Sequence, residues 1–425
     1  MTAPCRDATL PAGSGLADAG VDLLAAWRSG GFLMERQGAG VVTAGELRRI
    51  DVAAGTHQAA RAAGLAEAAL ASLGVDGAVA VAALPFAGDA PARLLIPERV
   101  RVTSIAPREL DLVRRGGPDP WGAPRGPVPD HPRAVAGERA GRLRWRAEPP
   151  ASAYAGAVAE AIALIRAGDL EKVVLTRSLV AANPGLDLSA LLGELRRRDP
   201  GCHLFAAAVE GGGAFVGATP ETLLRREGDR VLSVPHAGTA ARSTDPSRDR
   251  QAAEDLLHSA KDLHEHAAVV EAIADTLAPH CAELRVDPAP EVAATAAVWH
   301  LATVVRGRLR SPAPSALALA AELHPTPAVC GTPAAAARDL IARLEPASRG
   351  LYSGLVGWMD SRGDGEWAVS LRCALVTRTA LTIHAGAGIV AGSVPDLEVA
   401  ETEAKFRTMV DALEACAAAA GGAPG

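Results

Sequence analysis

The sequence predicts an α+β fold, in which strand pairs are mixed with long helices instead of alternating with them one by one. Two strand pairs support this prediction: 204–209 with 214–217, separated by glycines 211–213, and 368–376 with 380–384. Two long segments with helical periodicity, 251–278 and 400–420, supply the helical part. This mixture is typical of α+β proteins and argues against a βαβ alternation.

Composition and charge place the chain among ordinary globular proteins. At ~150 residues per domain, 425 residues would give two or three domains, although one large domain is also possible. With 49% hydrophobic and 22% charged residues, a long disordered protein is excluded. A net charge of −6 and only 3% aromatic residues argue against a nucleic-acid-binding surface. The six cysteines lie far apart without metal-type spacing, so neither disulfides nor a cysteine metal site is predicted.

The front of the chain has alanine-rich helical segments and short apolar runs. Residues 1–20 lack the pattern of a signal peptide, and the most apolar stretch, 77–84, is too short to span a bilayer. We therefore expect a cytoplasmic protein without membrane contact. The runs 79–84 and 93–96 are predicted as buried strands. The proline-rich stretch 116–132 is predicted as an exposed loop, and as the best boundary before the rear of the chain.

Two helical segments in the rear part carry acidic residues on one face. In SAKDLHEH, Asp262 and Glu265 are three residues apart, and in EVAETEAK, Glu398, Glu401 and Lys405 are spaced by three and four. Paired carboxylates on one face can hold a hard cation such as Mg²⁺. The alternative for each segment is an ordinary solvated helix surface, and two such faces in one chain favour a shared metal without deciding the question.

Charged residues and glycines beside apolar runs are further candidates. Lys172 precedes a strand-like run and is predicted to be either a buried base or a strand-end residue that reaches solvent. Arg372 lies inside AVSLRCALV and would need a partner if buried. Gly386 and Gly388 follow a predicted strand and indicate either close backbone approach to an anion or a tight turn.

The polar residues His300, His324 and Glu221 each have a functional and a structural interpretation. Either histidine could contact a ligand or be a satisfied core histidine. Glu221 could be a catalyst or the acidic residue of a helix N-terminal turn. The residues alone leave both interpretations open.

Taken in order, these segments resemble the chorismate-utilising enzymes, which include isochorismate, salicylate, anthranilate and aminodeoxychorismate synthases. The resemblance covers about residues 155–410. It rests on KVVLTRSL, GATPETLL, HAGTAAR, SAKDLHEH, HLATVVRG, LHPTPAVCGTP, RGLYSGLVGW, GEWAVSLRCA, IHAGAGIV and DLEVAETEAKFRTM. The front segments ALPF and ARLLIP also resemble isochorismate synthases. The implied fold is one large α+β domain, with two antiparallel sheets in a sandwich and helices packed outside.

The resemblance also revises the domain boundaries. Residues 1–150 become a variable N-terminal part of the same domain, with the proline-rich loop near 116–132 as an insertion. Residues 151–415 become the chorismate-binding catalytic core, and residues 416–425 are expected to form a flexible tail.

The resemblance implies a site for chorismate, a dianion with two carboxylates. By this analogy Glu265 and Glu401 bind Mg²⁺, and Asp262 and Glu398 contribute directly or through water. Lys172 matches the base and Glu221 the general acid, and burial would favour the neutral form of each. The implied substrate-binding residues are Gly238, Thr239, His300, Ala328, Tyr352, Arg372, Gly386 and Lys405.

The subfamily implied is isochorismate synthase, an isomerase that adds water at C2 of the ring while the C4 hydroxyl leaves. Ala237 stands where aminodeoxychorismate synthases carry a nucleophilic lysine, so no glutaminase partner is expected. Ala328 and Val329 resemble the isochorismate-synthase form of a loop beside the substrate. Salicylate synthase and a non-catalytic chorismate-binding relative remain alternatives.

The sequence leaves the pathway, the oligomeric state and the role of His236 open. SAKDLHEH resembles siderophore-type sequences more than menaquinone-type ones, and a monomer is the expectation.

Overall fold

The computed structural model describes residues 22–104, 108–111 and 143–421. The predicted proline-rich loop at 116–132 and the last four residues of the expected tail lie outside these ranges.

The strands and helices, labelled in chain order, account for most of the described residues. The strands are β1 (Leu33–Arg36), β2 (Ala39–Ala44), β3 (Arg48–Val52), β4 (Val79–Leu84), β5 (Ala92–Ile96), β6 (Arg99–Val102), β7 (Arg108–Asp111), β8 (Arg146–Glu148), β9 (Lys172–Ala182), β10 (His203–Val209), β11 (Gly213–Thr219), β12 (Thr222–Glu227), β13 (Arg230–Val234), β14 (His236–Ala241), β15 (Cys281–Val286), β16 (Glu291–Ala294), β17 (Val298–Ala302), β18 (Val305–Leu309), β19 (Gly331–Thr332), β20 (Leu355–Asp360), β21 (Gly365–Val369), β22 (Cys373–Val376) and β23 (Ala380–Ile389). The helices are α1 (Leu23–Ala26), α2 (Gln58–Leu73), α3 (Ala151–Ala167), α4 (Leu188–Arg198), α5 (Pro246–His258), α6 (Ala260–Leu277), α7 (Ala316–Leu323), α8 (Ala334–Leu344) and α9 (Pro395–Gly421).

Two large antiparallel sheets dominate the architecture, as the sequence predicted. The first has 11 strands, in the order β19-β9-β23-β22-β11-β10-β1-β2-β6-β7 with β8 also paired to β9. The second has nine strands, in the order β15-β18-β13-β12-β21-β20-β4-β5-β3. A third, three-stranded sheet, β14-β17-β16, was not predicted. Because strands before residue 112 enter both large sheets, the front of the chain is built into the same sandwich as the rear.

The two faces of the 11-stranded sheet bury different cores, which explains why strands such as β10 (HLFAAAV) are apolar almost throughout. In β10, Phe205 belongs to the main core shared with the nine-stranded sheet, while the adjacent Leu204 packs with the core under α4 and α9. The sheets meet directly, because His203 of β10 lies 3.9 Å from Glu366 of β21. The result is one α+β domain with helices outside the sandwich.

Two predicted elements are each divided in the structure. The prediction of a single helix at 251–278 is wrong, because α5 ends at His258 and a second helix, α6, follows. The Ser259 side chain caps α6 by accepting a hydrogen bond from the backbone N–H of Asp262. The strand predicted at 368–376 is two strands in different sheets, since β21 belongs to the nine-stranded sheet and β22 to the 11-stranded sheet. Arg372, at the crossing, has left-handed backbone with φ 47°.

Two other predicted elements are longer than expected. Strand β23 continues to Ile389, so Gly386 and Gly388 lie within a strand paired to β9 and do not form a turn after it. Helix α9 continues to Gly421, so the first residues of the expected flexible tail are helical. Among the described helices, none is long and apolar enough to cross a membrane.

Candidate active site

A polar cavity lies beside Arg372, where the chain passes from the nine-stranded to the 11-stranded sheet. The three-stranded sheet and helices α6 and α9 also border it. Its wall is formed by β9 and β23 of the large sheet, β14 and β17 of the small sheet, and helices α6 and α9. The lining residues are Val174, Pro220, Glu221, His236, Ala237, Gly238, Thr239, Lys261, Asp262, Glu265, His300, Ala328, Val329, Tyr352, Ser353, Leu371, Arg372, Gly386, Gly388, Glu401 and Lys405.

The structure brings the predicted site residues together around this cavity, except that Lys172 and Glu398 are not among the lining residues. Both are buried directly behind the wall, each beside a lining residue of opposite charge. Residues more than 200 positions apart in sequence therefore meet in one place because the sheets fold over each other.

Lys172 forms a buried ion pair with Glu265. Its Nζ lies 2.8 Å from Oε1 of Glu265, with both side chains largely shielded from solvent. Burial alone would raise the pKa of Glu265, but the charge and hydrogen bond of Lys172, together with Lys405 and Lys261, hold that pKa below its usual value. Gly388 leaves the space for this pair, because a Cβ there would lie 2.8 Å from Glu265 Oε1 and 3.0 Å from Lys172 Cε.

A second lysine is paired with the acidic face of α9. The Nζ of Lys405 donates to Oε1 of Glu401 at 2.6 Å and to the backbone oxygen of Gly386 at 2.9 Å. Glu398, one turn earlier, lies 3.8 Å from the Nζ of Lys261 on α6. Burial and the nearby Glu401 raise the pKa of Glu398 above its usual value, with Ser393 and lysines opposing them. The two helices therefore face each other with alternating charges.

The donor chemistry of these helices suits a hard divalent cation. Asp262, Glu265 and Glu401 offer carboxylate oxygens to the same cavity. In residues 22–104, 108–111 and 143–421, no group of three His, Cys, Asp or Glu side chains is positioned to hold a metal ion in the present arrangement. In this arrangement Glu265 and Glu401 bond lysine ammonium groups, and Asp262 accepts from the hydroxyl of Ser259.

Glu221 is the most deeply buried acid in the cavity wall, with 1% of its surface exposed. It lies in the turn between β11 and β12, not in a helix, so its interpretation as a helix N-terminal acid is wrong. No donor from the described part of the chain bonds its Oε1. Burial raises the pKa of Glu221 to about 8, against the opposing charges of Arg372 and Lys172. At neutral pH this carboxyl therefore holds a proton that it can donate.

Arg372 is buried and held by His300. Its Nη2 donates to Nε2 of His300 at 2.7 Å, which leaves Nδ1 of that ring 3.2 Å from both the Gly238 oxygen and Thr239 Oγ1. Burial, and next the charge of Arg372, hold the pKa of His300 far below its usual value, so the ring is neutral. The Nε of Arg372 has no hydrogen-bond partner within the described ranges and is free for a ligand. An arginine in this state suits a carboxylate.

Two non-glycine residues of the wall, Arg372 and Ser353, have left-handed backbone, with φ of 47° and 59°. Such backbone is uncommon outside glycine and is concentrated at functional sites. Beside Ser353, Tyr352 stacks on His384 with ring centroids 5.2 Å apart, and burial raises the pKa of Tyr352 to about 12. Its phenol therefore stays protonated as a donor.

Two histidines left open by the sequence are now placed. His236 lines the cavity, its ring meets His300 edge-on at 6.0 Å, and burial lowers its pKa to about 3. His324 is not a lining residue and packs edge-on against Phe86. His236 is therefore a neutral wall residue, and His324 lies outside the cavity wall as a half-buried packing residue.

Sequence reasoning did not assign some lining residues a role. Three such residues line the cavity, each next in sequence to a residue with a predicted role: Lys261, Ser353 and Leu371. Lys261 was visible as the cation interleaved with Asp262 and Glu265. Ser353 and Leu371 carried no signal of their own, because their positions depend on turns between sheets.

Comparisons with known proteins show the family of the chain. The family model described as "chorismate binding enzyme" matches residues 131–414. The isochorismate synthase DhbC of Bacillus subtilis is 41% identical over 340 residues, covering 78% of this chain and 80% of that protein. The isochorismate synthase EntC of Escherichia coli is 37% identical over 339 residues, covering 80% and 82%.

The fold comparison gives the same result. A solved structure from Bacillus anthracis, provisionally described as a 2,3-dihydroxybenzoate-specific isochorismate synthase, matches with a TM-score of 0.80 at 37% identity, covering 92% of this chain and 98% of that one. The menaquinone-specific isochorismate synthase MenF of Escherichia coli matches with a TM-score of 0.73 at 25% identity, covering 93% and 92%.

Proposed function

This chain belongs to the chorismate-binding enzyme family, and we propose that it is an isochorismate synthase. The reaction is the isomerisation of chorismate: water attacks C2 of the ring, the ring double bonds shift, and the C4 hydroxyl departs. One proton must leave the attacking water and one must reach the departing hydroxyl. A neutral base and a protonated acid are therefore both needed.

The observation that carries the proposal is the buried Glu221 carboxyl in the cavity wall, whose Oε1 has no hydrogen-bond partner in the described part of the chain. Hydroxide is a poor leaving group, and an acid that is still protonated at neutral pH makes its departure possible. Burial raises the pKa of Glu221 to about 8, so the acid form dominates at pH 7. We assign Glu221 as the general acid at C4.

Lys172 is the base in this proposal. It lies at the start of β9, behind Glu265, and is the buried amine at this end of the cavity. Accepting a proton from water requires a neutral amine, so its ion pair with Glu265 must be broken during turnover. The role of Lys172 is therefore coupled to where the Glu265 carboxylate lies.

The cationic side of the cavity supplies the carboxylate contacts. Arg372 presents its free Nε and Lys405 its ammonium group, and both suit the two carboxylates of chorismate. Tyr352 adds a phenol donor. Gly238 and Gly386 also line the cavity, and each packs closely against its own neighbours, since a Cβ at either position would meet atoms of the chain at about 3 Å.

The remaining predicted contacts have supporting roles. His300 and Thr239 hold Arg372 in place through the hydrogen-bonded chain that ends at the Gly238 oxygen. Ala328, with a small side chain, leaves room for the ring.

Magnesium is the proposed cofactor. Glu265 and Glu401 would hold the ion from facing helices, with Asp262 and Glu398 contributing directly or through water. When bound, magnesium would supply positive charge to the ring carboxylate, offsetting the repulsion between a dianion and these acids.

The relatives name two uses of the product. MenF of Escherichia coli is menaquinone-specific, and the Bacillus anthracis protein is described as 2,3-dihydroxybenzoate-specific. Within this proposal we favour the siderophore side because of the SAKDLHEH segment. A cytoplasmic location, a monomeric state and the absence of a glutaminase partner stay predictions.

Product analysis of the purified protein with chorismate tests the proposal. Chromatography should show isochorismate accumulating with Mg²⁺ and not after chelation. Salicylate with equimolar pyruvate, formed without an added lyase, would show a salicylate synthase instead. Chorismate that binds without turnover would show a non-catalytic relative.

A further inference from the structure

Arg349 and Glu345 form a buried ion pair that the reaction described above does not use. The exposed fractions of the two side chains are 2% and 6%. Nε of Arg349 donates to Oε2 of Glu345 at 2.8 Å and Nη2 to Oε1 at 2.6 Å, a bidentate contact. Burying two charges is expensive, so such a pair is weak evidence for a role in stability.

The guanidinium of Arg349 also bonds two backbone oxygens of the cavity wall. Nη2 donates to the Val174 oxygen at 2.6 Å and Nη1 to the Val329 oxygen at 2.7 Å. Both valines line the cavity. Val174 is two residues after Lys172, and Val329 follows Ala328 in the loop beside the substrate position. One planar group thus bridges two neighbouring pieces of wall, which are also joined by the backbone bond from the Val174 N–H to the Cys330 oxygen at 2.8 Å.

Glu345 extends the connection to the same strand. Its Oε1 accepts the backbone N–H of Thr176 at 2.8 Å. The Arg349 backbone oxygen accepts the N–H of Tyr352 at 3.0 Å, and the guanidinium lies over the Phe86 ring at 4.3 Å. All three guanidinium nitrogens have acceptors, so its orientation is fixed.

We infer that Arg349 is a positioning residue for the proposed reaction, setting the place of Lys172 relative to the 328–329 loop through strand β9. The inference rests on the proposed function. Lysine cannot replace it, because an ammonium has no planar fork to reach two carbonyls and a carboxylate together. A misplacement of about 1 Å at a reacting group can cost on the order of 100-fold in rate.

The test compares Arg349→Lys with a matched control, Arg226→Lys. Arg226 is another buried arginine, whose Nε donates to the Gly228 oxygen at 3.0 Å and which lies 3.8 Å from Asp364. Neither it nor these partners line the cavity. For each variant the thermal midpoint, the folded fraction, kcat and KM for chorismate are measured with Mg²⁺.

We expect Arg349→Lys to lower kcat per folded molecule by about 10- to 100-fold. KM should change less than about threefold, because Arg372 and Lys405 still bind the carboxylates. Arg226→Lys should keep wild-type kcat per folded molecule even if its thermal midpoint falls. Glu345→Gln keeps the shape of the Glu345 side chain and removes its charge, and it should show an intermediate loss of kcat. This variant serves as the test if Arg349→Lys does not fold.

Wild-type kcat in folded Arg349→Lys, or in Glu345→Gln if the former is unfolded, would overturn the inference. An equal loss of kcat in Arg226→Lys would overturn it as well, because the effect would then be general destabilisation. A wild-type protein that produces no isochorismate would overturn the proposed function itself, and the parallel wild-type assay separates that result from the others.

Discussion

The ammonium nitrogen of Lys172 lies 2.8 Å from Oε1 of Glu265, so the proposed base and a proposed metal ligand share one ion pair. The pair is buried, and Gly388 leaves room for it on the neighbouring strand. Base catalysis and metal binding are therefore coupled through a single carboxylate. Each of the following predictions tests one part of that arrangement.

Replacing Lys172 should remove base catalysis without unfolding the protein. We expect Lys172→Ala to lower kcat by about 10²- to 10⁴-fold, the usual contribution of a general base. Calorimetric titration should still detect Mg²⁺ binding, because the carboxylates remain. Glu171→Ala, at an exposed neighbouring position, is the control. Full activity in Lys172→Ala would refute the assignment of the base.

The activity should fall as pH rises above about 8. Glu221 must be protonated to act, and its pKa is raised to about 8 by burial. Glu221→Gln should lower kcat by about 10²- to 10⁴-fold and should remove this descending limb from the residual activity. The measurement is kcat as a function of pH from 6 to 10 in the wild-type protein and in Glu221→Gln. If the variant keeps the descending limb, the limb belongs to a group other than Glu221.

Glu221 should also make stability depend on pH. Its pKa in the folded protein, about 8, is above the ordinary glutamate value of 4.5, so its contribution is fully present below pH 4.5 and is lost as pH rises to about 8. The loss can reach about 1.4 kcal/mol per pH unit for one proton. Denaturant unfolding across this range should show a flatter dependence in Glu221→Gln, and parallel curves would contradict a buried, protonated Glu221.

A methyl group at position 388 should disturb the ion pair more than the fold. The atoms that a Cβ would meet are the movable ends of Glu265 and Lys172, so we expect Gly388→Ala to cost less than about 1.5 kcal/mol of stability. We expect kcat to fall at least about tenfold, because the base is displaced. Gly392→Ala, with open space around it, is the control. Unchanged kcat in Gly388→Ala would show that the pair tolerates displacement.

The sequence predicted correctly those strands and helices that can be recognised from their own residues. The hairpin of β10 and β11 and strand β4 follow from alternation, apolar runs and glycines, and the structure confirms them. The division at Ser259 was missed, because the periodicity continues through a residue that caps the second helix. The crossing at Arg372 was missed because both strands that flank it are apolar.

The sequence motifs predicted most of the residues around the cavity, but not all of the ion pairs and hydrogen bonds that join them. Motifs indicated Glu265 and Arg372, whereas their partners Lys172 and His300 depend on how helices and sheets face each other. The pair of Glu401 with Lys405 is different, because its spacing of four residues on one helix is visible in the sequence. Pairs of residues that are far apart in the sequence have no regular spacing by which they could be recognised. Two of the acids that the motifs suggested as metal ligands, Glu265 and Glu401, are each paired with a lysine here.

Isotope transfer from water tests the central claim most directly. Wild-type protein with chorismate and Mg²⁺ in H₂¹⁸O should give isochorismate heavier by about 2 mass units, because the C2 hydroxyl comes from solvent water and the two isomers otherwise have equal mass. The Lys172→Ala protein should give none. Isochorismate formed without the label would contradict water attack at C2 and, with it, the roles of Lys172 and Glu221.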